Sequence, residues 1–318
     1  MSNFTNYYIN LNKDIKSYFQ IIYPYIPIEL QEYIDIIIRL KDIDYFCGMK
    51  YASKDMYNFK CNISRLDHSI SCALQALRYT DDFEIVLSAL YHDCNTPIFS
   101  HVVDYLYEDY IKQEKSEENN DSFLLNNAKL LKLLAKDNYN IERIINPRQH
   151  SIVDNKRPRL CIDRLDGIFL TSLSWTKTIT LEDISRIINN IVIRKNEDTK
   201  EELCACDYSI AFQLVSLENT INTYCKSKED IFMMRLTADL LKYCLNKQYI
   251  TEDELYTLTE ESFITLIKNI MPDDLELSFL YEAFTKTNKV NILDIKNTKT
   301  RVLKPLYLSN TNTLKRYD

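Results

Sequence analysis

Glycine is nearly absent from this chain: the 318 residues hold two, Gly48 and Gly167. Tight turns between strands draw heavily on glycine, so the scarcity argues against a sheet-rich fold and for a mostly α one. It also excludes a glycine-rich phosphate loop, because neither G-x-G-x-x-G nor G-x-x-x-x-G-K-[ST] can be written with these residues. Long apolar runs are missing too. A stretch such as "IDIIIRL" falls far short of the roughly 20 residues that a membrane-spanning helix needs. The N-terminus, "MSNFTNYYINLNKD", has no apolar core of a signal peptide, so none is expected. No broad excess of positive charge occurs. The formal net charge is −7, which disfavours non-specific binding to nucleic acid or to a membrane surface. There is no C-x-x-C pair among nine cysteines. An odd, scattered set predicts reduced thiols and a cytoplasmic location, and Cys204-Ala-Cys206 without a second pair lacks zinc-site spacing.

What is present is ordinary globular composition, 46% hydrophobic and 27% charged, in a chain long enough for a sizeable core. Apolar residues recur at three-four spacing in many segments. The pattern predicts helices over 29–43, 64–79, 82–92, 98–112, 122–136, 159–173, 181–195, 208–226, 228–246, 251–257 and 259–270. Asp81 or Asp82 is placed to cap the third of these, and Pro97 argues against helix continuing through 93–97. "KVNILDI" and "TRVLKPLYL", near the C-terminus, alternate with β-branched residues and predict a few strands. The expected organisation is an N-terminal extension over 1–28, a helical domain over 29–275 and a small mixed α/β appendage over 276–318.

Four residues form a candidate metal set: His68, His92, Asp93 and Asp163. Two imidazoles and two carboxylates suit Mn, Fe, Mg, Ni or Zn, with open positions for water and a substrate oxygen. Each has a plainer reading. His68 could be a core histidine, His92-Asp93 a helix end, and Asp163 a buried carboxylate paired with Arg159 or Arg164. A buried charge needs a cation nearby on any of these readings.

In order, the chain carries Arg65-Leu66-Asp67-His68-Ser69, then His92-Asp93 followed by Phe99-Ser100-His101, then Asp163-Arg164-Leu165-Asp166. This succession, over about residues 60–170, resembles the HD-domain metal-dependent phosphohydrolases. Within them it is similar to the deoxynucleoside triphosphate triphosphohydrolases. The resemblance implies an HD-domain helical bundle in which His68, His92, Asp93 and Asp163 bind a divalent metal ion. It implies that Arg65 and Arg164 contact substrate phosphates, as guanidinium groups beside a metal would. His101 is either a further phosphate contact or a brace through Asp104. The implied partner is a small-molecule nucleotide or phosphoester, with a homo-oligomer expected from the same branch. Asp166 reads as a helix anchor, His150 as a surface residue, and "NKRPR" at 155–159 as a solvated loop or a phosphate-lining one.

Two departures from the branch matter. A histidine of its G-H-x-P-F segment is replaced here by Thr96. Its downstream His-Glu pair has Gln113-Glu114 as the nearest match, with Glu117 one turn on. The chain therefore more closely resembles a subgroup with H-D-x-x-T-P-x-F-S-H and a following Q-E-x-x-E. In a catalyst, Glu114 or Glu117 then takes the proton-handling role or metal-bound hydroxide acts unaided, with Asp93 counted as catalytic through the metal it would hold. Three functions stay open at this level: a dNTP triphosphohydrolase, an HD hydrolase of monophosphates, cyclic nucleotides or another phosphoester, and a non-catalytic metal- or nucleotide-binding module.

Overall fold

The computed structural model describes residues 2–111, 115–290 and 299–318. It is mostly helical. The helices are α1 (Asn3–Asn10), α2 (Lys13–Ile22), α3 (Ile28–Ile34), α4 (Arg65–Tyr79), α5 (Phe83–Tyr91), α6 (Val102–Leu106), α7 (Asn120–Leu125), α8 (Ala128–Asp137), α9 (Ile162–Ser174), α10 (Leu181–Ile188), α11 (Tyr208–Cys225), α12 (Lys228–Asn246), α13 (Glu254–Thr257), α14 (Glu260–Ile270) and α15 (Leu275–Lys286). A four-stranded sheet completes the described fold: β1 (Ile191–Lys195), β2 (Glu201–Ala205), β3 (Leu306–Leu308) and β4 (Leu314–Arg316), in that spatial order.

The centre is α4. Twelve of its fifteen residues are buried, so it is enclosed on nearly every side rather than laid on a surface. It packs against α5, α9 and α2. Its start is set locally. The Ser64 hydroxyl accepts from the Asp67 amide, and the Asp67 carboxylate accepts from the Ser64 amide, a reciprocal cap that satisfies two otherwise unpaired donors. Arg65 and His68 thereby leave the first turn of this helix at defined positions.

Several predicted elements differ from what forms. The helix expected over 29–43 is α only to Ile34 and continues as a tighter 3-10 run, Asp35–Asp42, through the β-branched Ile36–Ile38. The helix expected over 122–136 is two, because Asn127 turns its side chain onto the Leu130 amide at 3.0 Å and starts α8 afresh. The helix expected over 181–195 stops at Ile188. Ile191, Val192 and Ile193 pair instead with β2 in antiparallel register, Ile193 opposite Leu203. Long-range pairing has overridden helical periodicity there. Among the described residues of 98–112, helix forms only over α6, since Phe99 and Ser100 adopt left-handed backbone at φ 57° and 48°.

At the C-terminal end, α15 supplies the helical part of the expected mixed appendage and packs against α12. Most of the strand anticipated in "KVNILDI" lies outside the described residues. Leu306–Leu308 does form a strand, and it runs parallel to β2, with Cys204 opposite Leu306. The fully buried Glu202 fastens this sheet: it accepts from Arg316 Nη2 at 2.9 Å and from Asn196 Nδ2 at 3.0 Å.

Gly48 sits where a side chain would not fit, and Gly167 where one would be tight. Gly48 has φ +77°, and a Cβ there would lie 2.0 Å from the Phe99 ring. Gly167 on α9 lets the Tyr45 hydroxyl come within 3.1 Å of where a Cβ would stand. Each glycine admits an aromatic ring beside the centre described next.

Candidate metal centre

Three elements bring the four predicted ligands together. His68 is on the first turn of α4, and Asp163 on the first turn of α9. His92 caps the C-terminus of α5, and Asp93 follows in a turn. That turn is pinned by its neighbours. The Thr96 hydroxyl donates to the Asp93 carbonyl at 2.8 Å, and Asn120 Nδ2 donates to the His92 carbonyl at 2.6 Å.

The ligand atoms converge. His68 Nε2 lies 3.1 Å from His92 Nε2, 3.3 Å from Asp163 Oδ1 and 4.0 Å from Asp93 Oδ2. His92 Nε2 lies 3.6 Å from Asp163 Oδ1 and 3.7 Å from Asp93 Oδ2. Donors about 2.1 Å from a common ion stand roughly 3.0–3.4 Å apart when adjacent, and about 4.2 Å apart when opposite. The observed separations fall within that range.

The opposite edges of the two rings decide what the facing edges can be. His68 Nδ1 is 2.6 Å from Asp166 Oδ2, and His92 Nδ1 is 2.8 Å from the Ala89 carbonyl. Both partners are acceptors, so each Nδ1 carries a hydrogen. In the neutral rings both Nε2 atoms then present lone pairs to one another at 3.1 Å. That contact is repulsive unless a cation lies between them, either a shared metal or added protons. The residues therefore fit a divalent ion.

The electrostatics say the same. Burial opposes charge on His92, yet Asp93 and Asp163 beside it hold its pKa up to about 10. Burial likewise opposes charge on Asp163, but hydrogen bonding to His68 and His92 pulls it well below the ordinary carboxylate range. The cluster is a cation-seeking site.

Two other groupings are weaker. The Cys72 sulfur stands 3.7 and 3.9 Å from the ring nitrogens of His68, but burial pushes its pKa well up and keeps it a thiol. Asp154, Cys161 and Asp163 also approach one another, with Asp154 already paired to Arg148 at 3.0 Å and Arg164 at 3.4 Å.

The centre opens on a cavity of about 500 Å³, within the roughly 300–1,000 Å³ typical of ligand sites. Arg65 lines it, with Nη1 3.0 Å from Asp93 Oδ2, Nε 3.0 Å from the Ser100 hydroxyl and its guanidinium 5.0 Å over the Tyr45 ring. Arg164 lines it too, its guanidinium donating to Asn155 and to the Arg159 carbonyl. Asp163 is thus paired with neither Arg159 nor Arg164; those arginines engage Asp198 and Asp154. His101 is both braced and in the wall: its Nδ1 is 2.9 Å from Asp104 Oδ2, and burial lowers its pKa. Lys156 and Arg157, from "NKRPR", line the cavity as well. Thr96 is buried behind the Asp93 turn, its hydroxyl engaged as described. Glu114 lies outside the described residues. Glu117 ends a short 3-10 turn, Lys115–Glu117, and its side chain also lies outside them.

Sequence reasoning missed the residues that orient the ligands. Asp166 does anchor its helix, but what it anchors is His68: it is fully buried and accepts from His68, from Gln75 Nε2 at 2.8 Å and from the Tyr18 hydroxyl. Its position one turn after Asp163 was the available signal. Nothing local marked Tyr18, Gln75, Tyr45 or Asn120.

No family model matches the chain. Among curated proteins, YdhJ, an uncharacterized protein of Bacillus subtilis, is 22% identical over 207 residues, 65% of this chain and 62% of that protein. The metal-dependent phosphohydrolase cns2 of Cordyceps militaris is 23% identical over 208 residues, 65% of this chain and 59% of that one. The matched part of the chain thus spans about three fifths of these relatives' lengths. The crystal structure of a phosphohydrolase from Bacteroides thetaiotaomicron superposes with a TM-score of 0.60 at 16% identity, covering 92% of this chain and 91% of that one. That likeness establishes the fold. The chain is thus similar in sequence to a metal-dependent phosphohydrolase and in fold to a phosphohydrolase, and its own described residues include a candidate metal-holding cluster.

Proposed function

We propose that the chain is a metal-dependent phosphohydrolase whose substrate is a nucleotide, with a deoxynucleoside triphosphate cleaved to deoxynucleoside and triphosphate as the leading reaction. The observation that carries the metal-dependent reading is the meeting of His68 Nε2, His92 Nε2, Asp93 Oδ2 and Asp163 Oδ1 at one wall of a substrate-sized cavity, with both Nδ1 atoms committed elsewhere. These four residues would hold the ion. Bound there, a divalent ion supplies Lewis acidity toward a phosphoryl oxygen and the attacking water. Arg65 and Arg164 supply fixed positive charge in the same wall and would bind the phosphates. Asp93 couples the two parts, since it faces the ligand set and Arg65 at once. His101 is depressed toward its neutral form by burial and gives Nδ1–H to Asp104. That leaves Nε2 to accept a proton, or to bind phosphate once protonated.

A second reading, hydrolysis of a monophosphate or cyclic nucleotide, draws on Thr96. Its hydroxyl is committed to the Asp93 carbonyl, so the position offers the cavity no acid or base. A hydrolysis panel separates the two. The protein is incubated with Mn²⁺ and each dNTP, several monophosphates and cyclic nucleotides, beside Asp93→Ala. Deoxynucleoside plus intact triphosphate, lost in Asp93→Ala, is the expected result. Orthophosphate or a linear monophosphate moves the reaction to the second reading. No turnover by folded, metal-loaded protein overturns both and leaves a binding module.

A further inference from the structure

One fully buried carboxyl belongs neither to the metal ligands nor to the cavity wall: Glu260, the first residue of α14. An acid suits the first turn of a helix, but this side chain reaches away from its own helix. Its Oε1 accepts from the Asp44 amide at 3.1 Å and from the Phe99 amide at 3.2 Å, 216 and 161 positions earlier in the chain. Its Oε2 has no hydrogen-bond partner among the described residues, and Lys50 Nζ stands 3.6 Å from it. Burial and the Asp44 carboxyl beside it push its pKa up. Burying such a group is costly. What it achieves is at Oε1, where one oxygen joins two segments that are distant in sequence.

Both segments lead to Arg65. On one side, the Ile43 carbonyl accepts from the Arg65 amide at 2.9 Å, and the Tyr45 ring lies 5.0 Å from the guanidinium. Asp44 stands between these two residues. Its carbonyl accepts from the Ser100 hydroxyl at 3.3 Å, and that hydroxyl accepts from Arg65 Nε at 3.0 Å. On the other side, Ser100 directly follows Phe99, and both have left-handed backbone. Two such residues in succession are strained, and they hold only where their surroundings over-determine them. The bond from the Phe99 amide to Glu260 is one such restraint. Neighbours of Glu260 supply others: the Ile98 amide donates to the Leu255 carbonyl at 2.8 Å, and the Phe99 ring meets Phe263 edge-on at 5.4 Å.

We propose that Glu260 is a positioning residue for phosphate binding: through Asp44 and the Phe99–Ser100 turn it fixes the Arg65 guanidinium beside the metal ligands. Ser100 holds that guanidinium at Nε and Asp93 holds it at Nη1. Its remaining N–H groups are thereby aimed before any phosphate arrives. Without Glu260 the Asp44 and Phe99 amides lose their acceptor, the left-handed turn relaxes, and Ser100 leaves Nε. Ordering the guanidinium then falls to the phosphate, at the expense of affinity. The metal ligands themselves are held by other contacts, His68 by Asp166 and His92 by the Ala89 carbonyl. Loss of Glu260 therefore weakens phosphate binding and spares metal binding.

The proposal rests on the phosphate role given to Arg65 above, and its test keeps the two apart. Orthophosphate is titrated by calorimetry into the full chain loaded with Mn²⁺, and Mn²⁺ affinity is measured separately against a chelator. The variants are Arg65→Ala, Glu260→Leu, Glu260→Gln, Ser100→Ala and Glu260→Leu combined with Ser100→Ala. Glu260→Leu should weaken phosphate binding about tenfold, the order of a lost hydrogen bond to a charged group, with Mn²⁺ affinity within about threefold of the parent. Glu260→Gln keeps an oxygen for both amides and should restore phosphate affinity to within about twofold of the parent. Ser100→Ala breaks the same link further along, so the combined variant should bind no more weakly than the weaker single one. Additive losses, an equal loss in Glu260→Gln, a parallel fall in Mn²⁺ affinity, or unchanged phosphate affinity in Glu260→Leu overturns the proposal. If Glu260→Leu does not fold, Glu260→Asp, one methylene shorter, takes its place and must show the same pattern. Phosphate binding that is absent from the parent, or untouched by Arg65→Ala, sinks the phosphate role of Arg65 and the positioning with it. Binding that depends on Arg65 but is indifferent to Glu260 sinks the positioning alone.

Discussion

Asp166→Asn probes whether the metal centre depends on a residue that cannot touch the metal. Asp166 is fully buried and uses its two oxygens differently. Oδ1 accepts from both Tyr18 and Gln75, while Oδ2 accepts only from His68 Nδ1 among the described residues. An asparagine keeps most of its bonds by placing its carbonyl where Oδ1 was. Its amide nitrogen then faces His68 Nδ1 as a donor. His68 Nδ1 must lose its hydrogen, and the hydrogen moves to Nε2, the atom that faces His92 and Asp163. Metal binding must then expel that proton and reverse the tautomer. Loss of such a supporting partner weakens metal affinity by about 10–100-fold, or about 1.4–2.8 kcal/mol at 1.4 kcal/mol per decade. That agrees with the about 1.5–3 kcal/mol of a hydrogen bond to a charged group. Competition against a chelator of known affinity would measure it. An affinity within about threefold of the parent, in a variant with an unchanged circular dichroism spectrum, would refute the tautomer argument.

Gly48→Ala should destabilise the chain by about 2–4 kcal/mol, combining a strained left-handed alanine with a clash of the kind that overpacks a core. The added Cβ meets the Phe99 ring at 2.0 Å, and a urea midpoint unchanged by the substitution would refute that account. The carboxyl of Asp230 gives a pH signature. Its pKa is raised from 3.8 to about 7 in the folded chain, chiefly by burial. The folded state therefore holds a proton that the unfolded state releases, and this contribution to stability is complete below about 4 and lost as pH rises through about 7. The stability difference between the parent and Asp230→Asn, from urea midpoints across that window, should shift against the parent as pH rises; a pH-independent difference contradicts it.

Much of the candidate metal centre was legible in the sequence because the four residues proposed as its ligands lie at the ends of locally specified elements. Ser64 caps α4 and sets His68, and the turn before Pro97 follows α5 and sets His92-Asp93. The scarcity of glycine and the three-four periodicity carried the helical class for the same reason: both are properties of short stretches of chain. Where periodicity misled, as at Ile191–Ile193, the deciding partner was β2, and β2 in turn pairs with Leu306 from a hundred residues on. The supporting shell was still less legible. Tyr18 meets Asp166 across 148 positions, Tyr57 meets Asp230 across 173, and Glu260 holds the Phe99 amide across 161. The sequence by itself determined which residues could serve as ligands and which segments would coil into helices, because capping, turns and periodicity act within a few residues. Only the tertiary structure decided which nitrogen of each histidine faces the site and what stands at the far end of the cavity, because those contacts exist only after burial brings distant side chains together and leaves their polar atoms no water to turn to.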